Sequence, residues 1–360
     1  MIKEWFALRG KLSEQSQIIY TLIGFIITIA LWWILAESFA VNKAIYNDSE
    51  LLSNSDSLSV LDTGLRTPVT SGTEKVYPLL PRPDHVLKSF GDLVSKDQLG
   101  SNTLHSIWLN VQGYFWAILI SLPLGFLLGL FPIFKSLFSK QVDALRYLPL
   151  SALTGLFIIW FGLGDPMKIA FLAVGIVVYL IPVVVQRVGE LEEVYMQTAY
   201  TMGASKWQLI KTVFFPGVMV KLIDDIRVLT AISWTYIIIA ELLNKEMGIG
   251  SLIYTKSRQG QIDKVFACLI VIIFIGLLQD KLFALIDRMI NPHKYYKIKQ
   301  AGLSEGNIGV IAILLAIVCG ILCNYFLKIS ILCTVGWLLF AAGMLAMIYA
   351  YFLMSKNVSK

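Results

Sequence analysis

The residues of this chain whose types and spacing could do work lie between 195 and 217, Tyr-Met-Gln-Thr-Ala-Tyr-Thr-Met-Gly-Ala-Ser-Lys-Trp-Gln-Leu-Ile-Lys-Thr-Val-Phe-Phe-Pro-Gly. This mostly polar and basic run sits between long apolar segments. Gln197-Thr198-Ala199 leads to Gly203, and Pro216 follows thirteen residues later. That spacing predicts a short helix, a turn at the glycine and a second short helix ended near the proline. Gly203 permits a φ that a β-carbon opposes, and Ala204 and Ser205 allow close approach. The work implied is mechanical: a compact helical knuckle on one face of a membrane protein presents itself to a partner.

Other chemistry has little to build on. The histidines, His85, His105 and His293, are far apart, and no Ser-His-Asp set, paired carboxylates or metal-ligand spacing is visible. No G-x-x-x-x-G-K-[ST] segment is present, so the chain is not an ATPase by that phosphate-cradling mechanism. Carriers driven by protons or sodium place ionisable groups at mid-membrane. Here Glu37, Asp224, Arg227, Glu241 and Asp280 are expected near span ends. Arg227 could pair with Asp224 or Asp225, or attract an anion. Glu241 could hydrogen-bond within the chain or line an entrance. Trp234 and Tyr236 could line a pathway or pack at a lipid face.

The elements that position these residues follow from composition. Apolar residues make up 57% and charged residues 15% of the chain, with a mean hydropathy of +0.71. Several runs approach the roughly 20 apolar residues that cross a bilayer, and uninterrupted runs select helices over barrel strands. Eight spans are expected, at about 18–39, 109–131, 148–161, 169–185, 226–243, 265–286, 308–327 and 329–354. Lys3, Arg9 and Lys11 precede the first span, which is too long for a signal peptide despite the small residues at Ser38-Phe39-Ala40. Basic residues on alternate loops place both termini and the 195–217 run in the cytoplasm. Lys245, Lys256 and Arg258 break that pattern, either tolerated locally or attracting an anionic ligand. The formal net charge of +6 fits loops facing anionic headgroups rather than nucleic acid. Gly125 and Gly129 form a G-x-x-x-G pair suited to close helix approach. Cys268, Cys319, Cys323 and Cys333 lie in or beside apolar runs and read as small buried hydrophobes.

Between the first two spans, residues 41–79 are polar and read as a flexible external loop or a small cap. Leu80-Pro81-Arg82-Pro83 stiffens the chain, and Asp84 reads as the N-cap of an amphipathic helix. The expected organisation is a first helix within 1–40, the loop 41–79, a core 80–292 carrying a cytoplasmic loop 188–221, a basic linker 293–307, and two added helices within 308–360.

With these motifs in order, the stretch from Leu80 to about Pro292 resembles the permease subunits of ATP-binding-cassette importers for nitrate, sulfonates, taurine and bicarbonate. Leu80-Pro81-Arg82-Pro83 resembles the family's entry motif. Trp160-Phe161-Gly162-Leu163-Gly164 resembles its glycine turn, and Gly203-Ala204-Ser205 its coupling loop. Arg227, Trp234 and Ala240-Glu241-Leu242-Leu243 resemble its fifth-span pattern, and Gly248-Ile249-Gly250 a later turn. The chain departs from the family's glutamate-alanine-alanine at Gln197-Thr198-Ala199, has Gly155 in place of a common proline, and carries Asp224-Asp225 before Arg227.

The resemblance implies an all-α membrane protein of about eight spans with a type I importer core of five or six helices. It implies ATPase subunits gripping Gln197, Thr198, Ala199, Gly203, Ala204, Ser205 and Pro216, with ATP and Mg bound by those subunits and no cofactor in this chain. An external solute-binding protein, a second permease copy and the bacterial inner membrane complete the expected partners. Arg227, Trp234 and Glu241 are the residues it places along a translocation pathway. The implied cargo is a small anion or organosulfonate. The alternatives are a thiamine-precursor-like heterocycle as cargo, or a permease-derived scaffold that no longer transports, to which the extra helices and the lost glutamate at Gln197 point.

Overall fold

The computed structural model describes residues 13–46, 70–243, 246–291, 294, 303–323 and 330–358. Lys3, Arg9, Lys11, Lys245, Lys297, Lys299, Lys360 and His293, with the polar run 47–69, lie outside the described residues. The chain is a helical membrane protein. Among the described residues, seven helices are long and apolar enough to cross a membrane, or eight crossings if one sharply bent pair is counted as a span. Contacts divide the chain into two compact units, residues 1–98 with 253–270 and residues 99–252 with 271–360.

In the first unit, α1 (Glu14–Ser38) starts at Ser13, whose hydroxyl caps the backbone N–H of Ser16. The expected loop after it contains an antiparallel ribbon, with β1 (Val41–Tyr46) pairing with β2 (Thr70–Val76) so that Val41 faces Val76. β-branched and aromatic residues on both flanks suit a pleated pair, a signal hidden in the sequence by the polar run between them. Helix α2 (Pro83–Ser95) starts at Pro83, with Arg82 rather than Asp84 at the cap. Proline at the first helical position loses an N–H that would have no partner there anyway. Asp84 instead takes a hydrogen bond from Arg82 Nε at 3.1 Å, and the Arg82 guanidinium lies 4.5 Å over the Trp33 ring.

The second unit is built on α3 (Leu99–Leu130), α6 (Asp165–Gly189) and α9 (Phe215–Leu243). Three glycines of α3 fix its register on α6. A β-carbon at Gly113, Gly125 or Gly129 would lie 2.4, 2.5 or 2.9 Å from atoms of Leu172, Val184 and Val188 respectively. Both series of numbers rise together, so α3 and α6 run parallel. Gly175 against Tyr236 and Gly217 against Leu191 run in opposite senses, so α9 is antiparallel to α6.

Parallel neighbours require the chain to return across the bundle between them. The return is made by α4 (Pro132–Leu145), then the 3₁₀ turn Leu150–Leu153 and α5 (Thr154–Phe161), with an 89° bend between the two halves. The span expected over 148–161 is therefore not one straight helix. Its twelve helical residues reach only roughly 18 Å at 1.5 Å each, well short of a bilayer's roughly 30 Å. Pro149 and Gly162 (φ +74°) stop it at either end.

Helix α10 (Ile249–Arg258) precedes α11 (Ile262–Ile290), and the terminal hairpin α12 (Leu303–Leu322) and α13 (Ser330–Val358) closes the chain. The hairpin helices approach closely, since a β-carbon at Gly309 would lie 2.9 Å from the Gly343 carbonyl. Met289 of α11, fully buried, joins Val310, Met347 and Ala350 in one apolar cluster. Cys268 and Cys319 are free thiols, whereas Cys323 is disulfide-bonded, correcting the expectation that every cysteine is an apolar filler. Cys323 lies one residue beyond the end of α12 at Leu322.

Candidate coupling site

The run from 188 to 221 forms the knuckle that its sequence foretells. Helix α7 (Glu193–Thr201) ends in a Schellman motif: the Gly203 N–H donates to the Tyr200 carbonyl at 2.9 Å and the Ala204 N–H to the Ala199 carbonyl at 3.0 Å. Gly203 sits at φ +80°, the left-handed conformation this motif demands and L-residues resist. Ser205 then caps α8 (Lys206–Leu209) through a reciprocal box. Its N–H donates to Gln208 Oε1 at 2.8 Å, while its hydroxyl accepts from the Gln208 N–H at 3.4 Å.

Pro216 does not end the second helix. A wide π-type turn, Ile210–Phe214, joins α8 directly to α9, giving one helical stretch from Lys206 to Leu243. The Phe215 N–H reaches back to the Ile210 carbonyl. The extra residue in that ring accommodates a proline that cannot donate and crowds the preceding turn. Leu209, Phe214 and Val218 are buried and seat the knuckle. Its outer surface carries Met202 (83% exposed) and Trp207 (71%), with Tyr195 and Tyr200 also exposed. Gln197 and Thr198 are exposed and Ala199 half-buried.

Below the knuckle, ion pairs stitch α6 to α9. Arg187 donates from Nε and Nη2 to the two carboxylate oxygens of Asp225, each at 2.7 Å, and from Nη1 to Glu190 at 2.6 Å. Glu190 also accepts from Gln186 at 2.9 Å and Lys221 at 3.3 Å. The Arg187 guanidinium, helped by Gln186 and Lys221, holds the Glu190 carboxyl down at about 2. Lys294 bridges Asp224 (2.6 Å) and Asp287 (3.1 Å), tying the end of α11 to α9. Arg227 thus pairs with neither Asp224 nor Asp225. Those two are taken by Lys294 and Arg187, and Arg227 instead donates from Nε and Nη2 to both oxygens of Asp280.

At the other end of the bundle Glu241 is fully buried. Its carboxylate accepts from the Ser106 hydroxyl at 2.6 Å and the Gly250 N–H at 2.8 Å. The Ile249 N–H donates to Ser106 Oγ at 2.9 Å and the Gly248 N–H to Asn102 Oδ1 at 2.9 Å. Gly248 (φ +132°) lies so close that a β-carbon there would be 2.2 Å from Glu241 Cδ. Lys168, also fully buried, donates to Asp165 at 3.1 Å and to the Met247 carbonyl at 3.3 Å. Two stretches separate in sequence, Ala240-Glu241-Leu242-Leu243 and Gly248-Ile249-Gly250, thereby close on each other. Trp234 is buried too, donating from Nε1 to Gln279 Oε1 at 3.0 Å. Of the three residues expected along a pathway, only Arg227 is partly exposed.

Sequence reasoning missed Lys168, Arg187, Glu190 and Asp280 as site residues. Asp165–Lys168 and Arg187–Glu190 do carry the three-residue spacing of opposite charges on a helix, which could have flagged them. Nothing local could have paired Arg227 with Asp280.

Comparison with known proteins gives this geometry a family. The model of the binding-protein-dependent transport system inner membrane component family matches residues 121–292. Those residues belong to that family. The matched segment holds the knuckle, the Arg187–Asp225 and Arg227–Asp280 pairs and Glu241, while Asn102, Ser106 and Lys294 lie outside it. Among similar proteins is the taurine transport system permease protein TauC of Escherichia coli, 26% identical over 60% of this chain and 81% of its own. A Bacillus subtilis protein named as an aliphatic sulfonates transport permease, SsuC, is 27% identical over 58% of this chain and 76% of its own. One named as an ABC transporter permease from Methanocaldococcus jannaschii is 28% identical over 56% and 78%. A solved inward-facing structure of the MetNI methionine ABC transporter overlaps 54% of this chain and 99% of its own, with TM-score 0.49 at 18% identity. The permease domain is a transporter component and not itself an enzyme. Residues 293–360, with α12 and α13, lie beyond the matched segment.

Proposed function

We propose that this chain is the membrane-spanning subunit of an ATP-driven importer, and that ATPase subunits grip the knuckle around Gly203. The observation that carries this reading is the knuckle itself: a Schellman turn and a capping box hold two short helices rigidly, with Met202 and Trp207 turned outward, inside a permease domain. Exposed large side chains on a rigid element are what a partner's pocket takes hold of. The ion pairs of Arg187, Glu190, Lys221 and Asp225 make α6 and α9 move with the knuckle, since packed elements shift as rigid bodies between discrete arrangements.

In this reading ATP and Mg are bound by the ATPase, and the chain's contribution is the pathway and its gate. A second permease copy completes the pathway, an external solute-binding protein delivers the cargo, and both termini and the knuckle face the cytoplasm of a plasma (inner) membrane. The cargo is a small anion of the organosulfonate class, by likeness to TauC and SsuC. Driving a two-state gate from 1:99 to 99:1 needs roughly 5.5 kcal/mol of differential binding, which nucleotide-driven closure of the ATPase pair supplies.

The test is reconstitution of the chain with a candidate ATPase and solute-binding protein, followed by uptake of radiolabelled taurine with and without ATP. ATP-dependent uptake, and hydrolysis stimulated by the loaded binding protein, are expected. A chain that purifies without ATPase, or whose Trp207→Cys variant is labelled by an impermeant reagent from outside intact cells, would defeat the reading.

A further inference from the structure

We propose that α4 lies flat in the membrane surface beside the knuckle and binds anionic phospholipid there. The inference needs the membrane embedding of the permease domain and not the importer reading.

Chain continuity sets where α4 starts. Span α3 ends at Leu130 and α4 begins at Pro132, so α4 sets out from the surface at which α3 leaves the membrane. Because α3 and α6 run parallel, α6 delivers the knuckle to that same surface. The direction of α4 follows from the segment after it, since its axis stands at 89° to Leu150–Phe161. Of two perpendicular segments, no more than one can follow the membrane normal. Residues 150–161 carry no charge, and Phe157 packs into an apolar cluster with Met167 and Phe171 of α6 and Ala240 of α9. Helix α4 instead holds Lys135, Lys140 and Asp143, with Arg146 as its cap. The uncharged half suits hydrocarbon and the charged half the surface. The crossing then falls to residues 148–164. Twelve helical residues supply roughly 18 Å, and 148–149 with 162–164 add up to roughly 3.3 Å each, enough for a core of roughly 30 Å.

The side chains of α4 fit that placement. The helix buries none of its residues. At 3.6 residues per turn, Ile133, Phe134, Leu137, Phe138 and Leu145 share one half of its surface, interrupted by Gln141. All five are exposed, Ile133 by 72%. The other half centres on Ser136, Ser139 and Asp143, and the cations stand at its margins, Lys140 along one edge and Lys135 with Arg146 along the other. Water penalises the first half and hydrocarbon the second; the boundary between them satisfies both. Cations at the margins reach headgroups while their stems lie along apolar surface. Asp143 is taken by Arg146 Nη2 at 2.6 Å, and among the described residues no carboxylate pairs with Lys135 or Lys140. Two cations are thus left at the edges of a lipid-seated helix, where a phosphate headgroup with net negative charge answers them.

Depth and lipid preference are measured on the full chain. Phe134→Cys, Ser136→Cys and Leu145→Cys are introduced singly where the free thiols Cys268 and Cys319 are alanine, with that parent as the blank. Each carries a nitroxide in vesicles of equimolar phosphatidylcholine and phosphatidylglycerol. Power saturation compares collisions with oxygen, which concentrates in lipid, and with a water-soluble nickel chelate. Labels at Phe134 and Leu145, eleven residues apart on one face, should share one depth, roughly 5–10 Å into the headgroup and acyl boundary, while the label at Ser136 should favour nickel. An upright α4 would separate the two depths by roughly 16 Å and overturn the proposal. Labels at Phe134 and Leu145 shielded from both relaxants, as a second copy of the chain seated there would shield them, overturn it too. So does a preference for nickel at all three. For the headgroup, energy transfer from a dye on Leu145→Cys to acyl-labelled phosphatidylglycerol should exceed that to acyl-labelled phosphatidylcholine. The relative association constant should fall about fivefold with each of Lys135→Gln and Lys140→Gln. Equal transfer to the two lipids, or an excess that neither substitution lowers, removes the anionic ligand. Should a lysine variant fail to insert, the two-lipid comparison on the parent decides.

Discussion

Gly203 offers the sharpest test of the knuckle, because strain and bulk can be told apart there. A β-carbon at Gly203 meets no atom within 4 Å, yet the backbone sits at φ +80°. Substitution therefore adds no clash within the chain, only the left-handed conformation's cost, about 1–2 kcal/mol for an L-residue. Asparagine, which visits that region readily, should cost least, alanine more, and β-branched valine most. Helix α7 has nine residues and buries none of them fully. Helices this short are marginal without their caps, so the strain is relieved by loosening the knuckle rather than the bundle. A loss of 1–2 kcal/mol lowers ATPase affinity about 5- to 30-fold. The assay is titration of purified ATPase onto the chain in nanodiscs, with thermal unfolding of the chain measured alongside. Affinity should fall in the order Gly, Asn, Ala, Val while the unfolding temperature stays put. Gly203→Tyr has open space within the chain, so any loss beyond that of Gly203→Ala reports contact with the ATPase itself. Wild-type affinity for Gly203→Val would refute the reasoning.

Three further outcomes are expected. Glu241→Ala strands the Ser106 hydroxyl and the Gly250 N–H in a dry site and should destabilise the chain by about 3–5 kcal/mol. Glu241→Gln keeps the volume and an acceptor and should cost much less; equal unfolding temperatures for the two variants would place Glu241 in an open channel instead. Gly125→Leu drives a side chain into Val184, whose Cβ would be 2.5 Å from the new Cβ, an overpacking worth about 1–3 kcal/mol or more that should show as loss of monodisperse protein. Asp97 is pulled two ways: burial raises its carboxyl, but hydrogen bonds from Lys256 (2.6 Å) and Lys264 (2.9 Å) prevail and hold it below the usual carboxylate range. Because the folded value lies below the unfolded one, near 3.9, its stabilisation is complete above that pH and is lost as pH falls through the folded value. Unfolding temperature followed from pH 7 downward should drop at the acid end, and Asp97→Asn should flatten that limb; an unchanged limb would refute the assignment.

What the sequence disclosed, and what it hid, follows from the range of the interactions involved. The knuckle was legible because its determinants are local: Gly203 at a helix end, Ser205 with Gln208 three residues on, and a polar run between apolar ones. The spans were legible because each satisfies its own backbone, so hydropathy alone marks them. Pro216 misled because a proline reads as a stop, whereas one extra residue in the preceding turn lets the helix continue. The span at 148–161 misled for a related reason: an apolar run marks membrane depth but not straightness, and the parallel register of α3 on α6 had to be seen before the bent crossing became a necessity. Charge partners were the least legible. Arg227 had two aspartates within three residues, and local spacing favoured them. The choice was made by residues 38 to 70 positions away, since Arg187 claims Asp225 and Lys294 claims Asp224. With both neighbours occupied, Arg227 was left to Asp280 across the helix pair. Lys256 and Arg258 show the same effect in reverse: two of the positive charges that the sequence suggested as an external lure for an anion are engaged, Lys256 by Asp97 and Arg258 by the Tyr254 hydroxyl. A count of charges along a chain cannot anticipate such exclusions, because each pairing depends on which others the fold has already satisfied.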